Sequence, residues 1–249
     1  MHLAYDAYHL ALATCLFLGA ALYSSVGHAG ASAYIAAMAL FSVPAAVMRP
    51  TALVLNILVA SIGSWRYVRA GQFRWRPLWP TLIGAIPMAL AGGAVQLPSQ
   101  YYRPLVGLVL LFSAARLLWP RQIAASSEVR DPPIAVGIAV GGAIGLLAGL
   151  TGTGGGIFLS PLLIFLGWSS VRDAIGIAAV FILCNSIAGL LGNVASVRAI
   201  PAELPLYAGA VLLGALVGTT AGMKLPVGLI LKALGVVLLI AGGKLVVTP

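Results

Sequence analysis

The sequence contains few charged residues for its length. Only 8% of its 249 residues are charged, with 14 Lys and Arg against 5 Asp and Glu, whereas 61% are hydrophobic. A soluble globule of this size could not cover its surface with so few polar side chains. Together with a mean hydropathy of +1.07, this composition excludes a soluble domain and predicts a polytopic membrane protein.

The sequence also lacks the common motifs of catalysis, metal binding and nucleotide binding. Neither HExxH nor GxSxG occurs, and the glycine run at 152–156 is not followed by the Gly-Lys-Ser/Thr of a P-loop. The two cysteines, Cys15 and Cys184, lie in separate apolar stretches and predict neither a disulfide nor a metal site. The arginines lie in short loops between apolar stretches, where membrane topology explains them without nucleic acid. We therefore predict no enzyme activity, no metal, no cofactor and no nucleic-acid partner.

Two long apolar stretches are each interrupted by glycine and small polar residues. The first, 9–43, contains Ser24-Ser25-Val26-Gly27-His28-Ala29-Gly30, and the second, 134–166, contains Thr151-Gly152-Thr153-Gly154-Gly155-Gly156. Glycine in a helix interior costs about 1 kcal/mol relative to alanine, so each cluster should break its helix. Unpaired backbone in hydrocarbon is costly, so such breaks persist only where protein or a water-filled cavity covers them. The simpler alternative is that the small residues only allow helices to pack closely.

The two halves of the chain align with each other. Asn56 falls on Asn185. Further matched pairs are Gly63 with Gly192 and Arg69 with Arg198. We predict a first transmembrane repeat over 1–119, a cytoplasmic linker over 120–133 and a second transmembrane repeat over 134–249. Each half then has a glycine-broken first segment followed by three transmembrane helices, which is the plan of many secondary transporters.

The topology depends on how the broken stretches cross the membrane. Unbroken spans are predicted over 47–67, 78–95, 105–119, 174–197, 204–223 and 229–247. The loop that carries Arg66, Arg69, Arg74 and Arg76 should be cytoplasmic, and so should the linker, which is two spans further on. If each broken stretch crosses once, the repeats are parallel; if each returns as a re-entrant hairpin, they are inverted. Residues 31–43 are fewer than the ~20 that a span needs, which favours hairpins and inverted repeats.

The second glycine cluster and its flanks resemble the signature of the sulfite exporter TauE/SafE family of membrane permeases. Residues 145–162 read GLLAGLTGTGGGIFLSPL, and the length, the duplicated plan and the asparagine in the span after each cluster also match. The first cluster departs from the pattern, with Val26, His28 and Ala29 in place of small or glycine residues and Ala36 where the second copy has Pro161. The resemblance implies a transporter of small anions, such as sulfite or organosulfonates, that usually exports them across the cytoplasmic membrane.

The chemistry of the breaks agrees with an anionic substrate. Helix N-termini that follow glycine-rich turns present unpaired N–H groups and a positive dipole end, so two of them facing each other would bind an anion. All five carboxylates lie at predicted helix ends or in loops, which disfavours cation transport. The neutral hydroxyls and amides nearby add donors, although each could equally serve interhelical hydrogen bonding. The candidate substrate-binding residues are Ser24, Ser25, Gly27, His28, Gly30, Asn56, Thr151, Gly152, Thr153, Gly154, Gly155, Gly156 and Asn185.

His28 is the only ionisable side chain in either break. As a ligand, its protonated ring would strengthen anion binding, and affinity would fall as the pH rises through about 6.5. A satisfied buried histidine without a role in binding is the equally weighted alternative. Two function classes remain, a secondary transporter and an anion channel or membrane scaffold subunit without alternating access. The sequence leaves open which anion is carried, whether protons are coupled to it, and whether the chain forms a homodimer.

Overall fold

A computed structural model describes residues 6–25, 28–118, 129–194, 200–221 and 227–247. These residues form ten α-helices, numbered here in chain order. They are α1 (Ala7–Ser25), α2 (Ala31–Leu40), α3 (Ala45–Arg69), α4 (Trp75–Ala94), α5 (Ser99–Leu118), α6 (Ile134–Thr151), α7 (Gly156–Phe165), α8 (Val171–Gly192), α9 (Leu204–Ala221) and α10 (Val227–Val247). Six are long and apolar enough to cross a membrane, and the other four contain shorter apolar helical segments. The predicted all-α polytopic membrane protein is confirmed, and the predicted unbroken spans correspond to α3, α4, α5, α8, α9 and α10.

Both predicted helix breaks are present. The chain leaves the helical conformation between α1 and α2 and again between α6 and α7. Gly30 and Gly155, which precede α2 and α7, have φ of 99° and 80°, and Gly152, which follows α6, has φ of 84°. A residue with a Cβ atom is strained at such positive φ values, so the glycines determine where the helices stop. Gly27 of the first break lies outside the described residues.

Each broken stretch folds back as a helical hairpin. In the first, the hydroxyl of Tyr8 near the start of α1 donates to the carbonyl of Phe41, directly after α2, at 2.9 Å. In the second, the backbone N–H of Arg130 before α6 donates to the carbonyl of Gly167 after α7, at 2.8 Å. The end of each stretch therefore lies beside its beginning. This is the re-entrant alternative of the two that the sequence left open.

Helices that align between the two halves run in opposite directions. α3 packs against α8 and α5 packs against α10. Asn56 of α3 meets Ser186 of α8, whereas Leu53, earlier in α3, meets Gly189, later in α8, so these helices are antiparallel. α5 and α10 are also antiparallel. These directions are those of inverted repeats. The duplication itself and the boundaries 1–119, 120–133 and 134–249 stay predictions, and residues 119–128 lie outside the described residues.

Glycines allow two helix pairs to approach closely. A methyl group added to Gly141 of α6 would lie 2.0 Å from the carbonyl oxygen of Thr81 in α4, and one added to Gly145 would lie 2.3 Å from that of Ala85. α1 and α9 approach in the same way, since a methyl group on Gly218 would meet backbone of α1 at 2.1 Å. The two hairpins are thus each held by a helix from the other half of the chain, α1 by α9 and α6 by α4.

The basic residues mark one face of the molecule. Asp131, just before α6, lies 3.1 Å from Arg74 and 3.0 Å from Arg76, which belong to the turn between α3 and α4 and the start of α4. We call the face formed by residues 66–76 and 129–133 the basic face. The hairpin of α6 and α7 enters from the basic face. The hairpin of α1 and α2 enters from the opposite face, because it leads directly into the start of α3.

Candidate functional site

One buried face of α3 forms the centre of the candidate site. Arg49, Asn56 and Gly63 occupy positions i, i+7 and i+14 of this helix and therefore lie nearly in line along one side. Arg49 is near the opposite face and Gly63 near the basic face, with Asn56 between them. Arg49 is 5% exposed and Asn56 is 1% exposed. Residues in or next to both glycine breaks contact Arg49 or Asn56.

Asn56 connects the two hairpins. Its side-chain oxygen accepts a hydrogen bond from the N–H of Ala31, the first residue of α2, at 3.2 Å. Its amide nitrogen donates to the hydroxyl of Ser186 in α8 at 2.8 Å. The second break approaches the same nitrogen, since a methyl group on Gly154 would lie 2.3 Å from it. Gly154 has φ of 72°, so the glycine is required there by both space and conformation.

Asn185 belongs to α8 and lies beside this cluster, next to the start of α7. Its side chain is 1% exposed, and neither its amide oxygen nor its amide nitrogen has a hydrogen-bond partner among the described residues. A methyl group on Gly155, which caps α7, would lie 3.0 Å from that nitrogen. Leaving a buried polar group unpaired costs about 1–3 kcal/mol. Asn185 therefore holds an unused donor and acceptor next to a helix N-terminus, where the dipole favours an anion.

His28 connects the first break to the second hairpin. Its Nε2 atom lies 3.3 Å from the hydroxyl of Ser160 in α7. The ring of Tyr23 meets the imidazole edge-on with 6.4 Å between centroids, and the hydroxyl of Tyr23 is 2.7 Å from that of Ser32 in α2. The histidine is therefore within the same set of contacts that joins the two hairpins.

A narrow cleft leads from His28 toward the basic face. Gly63 and Tyr67 of α3, Thr219 of α9 and Ser24 of α1 line it together with His28. Its free volume of about 10 Å³ is roughly that of one water molecule. The hydroxyl of Ser24 is buried and has no hydrogen-bond partner among the described residues.

The remaining predicted residues fall into three groups. Gly30 and Gly156 begin the short helices, and a methyl group on Gly156 would lie 2.2 Å from the side chain of Ile182 in α8. The hydroxyl of Ser25 donates within α1, to the carbonyl of Leu22 at 2.6 Å. The other predicted residues of the second break lie further toward the opposite face. They are Thr151 and Thr153, with hydroxyls 2.9 Å apart, and Gly152, which packs on Arg49.

Three further polar residues of this region were not predicted from the sequence. Ser186 directly follows Asn185, and Ser160 lies within the glycine motif, so both could have been found as hydroxyls inside apolar stretches. Arg49 was not among the predicted residues. Its guanidinium is buried among backbone carbonyls at the end of α4.

In the described part of the chain, the carboxylates lie outside the site. Asp173 is held in the first turn of α8, where its backbone N–H and its carboxylate both bond the hydroxyl of Ser170. The other described carboxylates lie just before the starts of helices and are Asp6, Asp131 and Glu203. The groups that meet at Asn56 and Asn185 are therefore neutral donors and acceptors, which suits an anion better than a cation.

Comparison with known proteins agrees with this arrangement. The family model described as sulfite exporter TauE/SafE matches residues 11–245. A protein of Sinorhizobium fredii (strain NBRC 101917 / NGR234) named probable membrane transporter protein y4hK is 37% identical over 244 residues, which cover 96% of this chain and 99% of that protein. No solved structure matches the chain. The chain belongs to the TauE/SafE sulfite exporter family of membrane transporters.

Proposed function

We propose that this protein is a secondary transporter that exports a small anion, such as sulfite or an organosulfonate, across the cytoplasmic membrane. The observation that carries the proposal is the unpaired, buried amide of Asn185 at the N-terminus of α7, beside Asn56, which holds the N-terminus of α2. Two helix N-termini and two amides converge there. Such donors bind oxyanions without needing a charged side chain.

The depth of this cluster suits a transport site. Asn56 lies about 16 Å along α3 from its start at Ala45, at a rise of 1.5 Å per residue. This is near the middle of a hydrocarbon core about 30 Å thick. The hairpins enter from opposite faces, so the N-termini of α2 and α7 both point their positive dipole ends toward this depth. Secondary transporters with inverted repeats place their binding sites in this way.

The charges orient the protein in the membrane. The basic face carries the densest set of arginines and should be cytoplasmic by the positive-inside rule. The cleft lined by Ser24 and His28 then lies on the cytoplasmic side of the site, and it has to widen to admit an anion. Arg66 donates to the hydroxyl of Thr219, which lines the cleft, and places a positive charge where it can attract the substrate.

Flux measurements with purified protein in liposomes test the proposal. A transporter should give saturable uptake of labelled sulfite or ethanesulfonate that is accelerated by unlabelled anion on the other side of the membrane. A channel would give flux without saturation or acceleration by exchange, and a scaffold would give none. Either of these two results would overturn the proposal.

Replacing His28 by alanine should flatten the pH dependence of anion binding. With the native ring we expect the affinity for ethanesulfonate to fall by about ten-fold between about pH 5.5 and 7.5, as the imidazolium loses its proton and its attraction for the anion. A sulfonate is the suitable probe because its own charge is constant over this range. His28→Ala should keep the lower affinity at every pH, since the helix N-termini and the asparagines remain.

His9 provides the matched control for this measurement. It lies at the start of α1, where it contacts the hydroxyl of Tyr207 at 2.8 Å and Glu203 at 3.7 Å, away from the cleft. His9→Gln should leave the pH dependence as it is in the native protein. If His28→Ala has unchanged affinity and an unchanged pH profile, His28 is a buried structural histidine and has no part in proton coupling.

A further inference from the structure

Arg49 is a buried cation within a transmembrane helix. Its guanidinium donates to the carbonyl oxygen of Val95 at 2.9 Å and to that of Gly92 at 3.0 Å, and it also bonds the carbonyl of Gly93. Its Nε atom is buried and has no hydrogen-bond partner among the described residues. Ionisable side chains are rare at such positions in membrane proteins, and those present often serve the transport path.

The charge of Arg49 is not neutralised in the described part of the chain. None of the carboxylates there pairs with it, since Asp131 bonds Arg74 and Arg76, and Glu203 lies near His9. The carbonyls at the C-terminus of α4 offer only the partial negative charge of a helix end. A buried full charge is normally paired, because removing it from water is expensive. Arg49 therefore keeps an unmet attraction for an anion.

The position of Arg49 relates it to the proposed site. It lies two helical turns before Asn56 on the same side of α3, about 10 Å away toward the opposite face. The second break follows the same line, since Gly152 packs on Arg49 and Gly154 packs on Asn56. On the other side of Asn56, Gly63 lines the cleft toward the basic face. Along the buried side of α3, the cleft, the amide of Asn56 and the guanidinium of Arg49 therefore follow one another from the basic face toward the opposite face.

We propose that Arg49 is a second anion-binding residue, which receives the anion between the central site and the opposite face. This inference rests on the proposed function as an anion transporter. The planar guanidinium can bond two oxygens of a sulfite or sulfonate at once. Its present partners are neutral carbonyls, which an anion can replace more readily than it could replace a carboxylate. While Arg49 holds these carbonyls, it also ties the start of α3 to the end of α4.

Equilibrium binding to the purified full-length protein tests this proposal, with sulfite, ethanesulfonate and acetate as probes. Arg49→Gln should weaken binding of the best probe by roughly ten- to a hundred-fold, the loss expected for a hydrogen-bonded charge. Arg49→Lys should retain the charge but lose the two-point contact, and should weaken binding by roughly three- to ten-fold. Arg103→Gln, which removes a partly exposed charge at the start of α5 on the same side, should leave the affinity unchanged.

Thermal unfolding of each variant without anion separates binding from folding. If Arg49 only caps α4, both Arg49 variants will unfold at lower temperature while their affinities stay within two-fold of the native value, and the inference is overturned. Should Arg49→Gln yield no folded protein, the affinity of Arg49→Lys decides between the two results. If the native protein binds none of the probes, the proposed anion transport itself fails, and the role of Arg49 fails with it.

Discussion

Replacing Gly141 by alanine should leave little folded protein. The added methyl group would lie 2.0 Å from the carbonyl oxygen of Thr81 and 2.6 Å from its carbonyl carbon, both of which are backbone atoms of α4. A side chain could move aside, but a helix backbone can yield only if α4 and α6 separate. Overpacking costs about 1–3 kcal/mol or more, and separation would also disturb the contacts at Gly145 and Gly149. The yield of monodisperse protein after solubilisation and its unfolding temperature measure the effect.

Gly209 of α9 offers the matched control for this substitution. It is exposed and lies in a helix, and no atom of a neighbour is within 4 Å of an added methyl group. Gly209→Ala should fold as well as the native protein or slightly better, because alanine favours the helix. Equal yields and equal unfolding temperatures for Gly141→Ala and the native protein would show that α4 and α6 do not pack through their backbones.

Replacing Asn185 by leucine should strongly reduce transport while making the protein more stable. In the native protein the amide is buried without a partner, which costs about 1–3 kcal/mol. A leucine of similar size removes this cost, so the unfolding temperature should rise. The anion loses the donor beside the N-terminus of α7, so transport should fall by about ten- to a hundred-fold. Opposite changes in stability and activity are typical of residues kept for function. Flux in liposomes and thermal unfolding measure the two effects separately.

Two control variants sharpen this prediction. Asn56 is paired, so Asn56→Leu should also reduce transport but should lower the unfolding temperature, because Ala31 and Ser186 lose their partner. Asp173→Asn changes a carboxylate at the start of α8, outside the site, and should transport anions as the native protein does. Transport at the native rate by Asn185→Leu would contradict the role of this amide.

The breaks of the first and second hairpins were predictable because their cause is local. Gly30, Gly152 and Gly155 adopt φ values that a side chain would strain, so glycine clusters in apolar stretches locate the breaks whatever surrounds them. Asn56 and Asn185 could be singled out for a related reason, because amides within apolar spans need polar partners; their part in binding stays a prediction. The hairpin geometry followed less directly, from the shortness of residues 31–43.

The partners of these groups were not predictable, because they depend on packing between distant segments. The glycines of α4, α6 and α9 look alike in the sequence, and nothing local indicates that α4 packs with α6 or α1 with α9. Arg49 bonds backbone carbonyls, which carry no sequence signal. The bond of the Ser25 hydroxyl to its own helix was not predictable either, because a serine beside a break can donate locally or to a ligand.

The proposed anion site lies where the N-termini of α2 and α7 meet beside Asn185. Selenite, the selenium analogue of sulfite, allows a direct test, because anomalous diffraction from crystals of the native protein soaked in it would locate each bound anion. We expect a selenium peak within hydrogen-bonding distance of the Asn185 side chain, between the starts of the two short helices. Selenium peaks confined to the arginines of the basic face, with none beside Asn185, would contradict it.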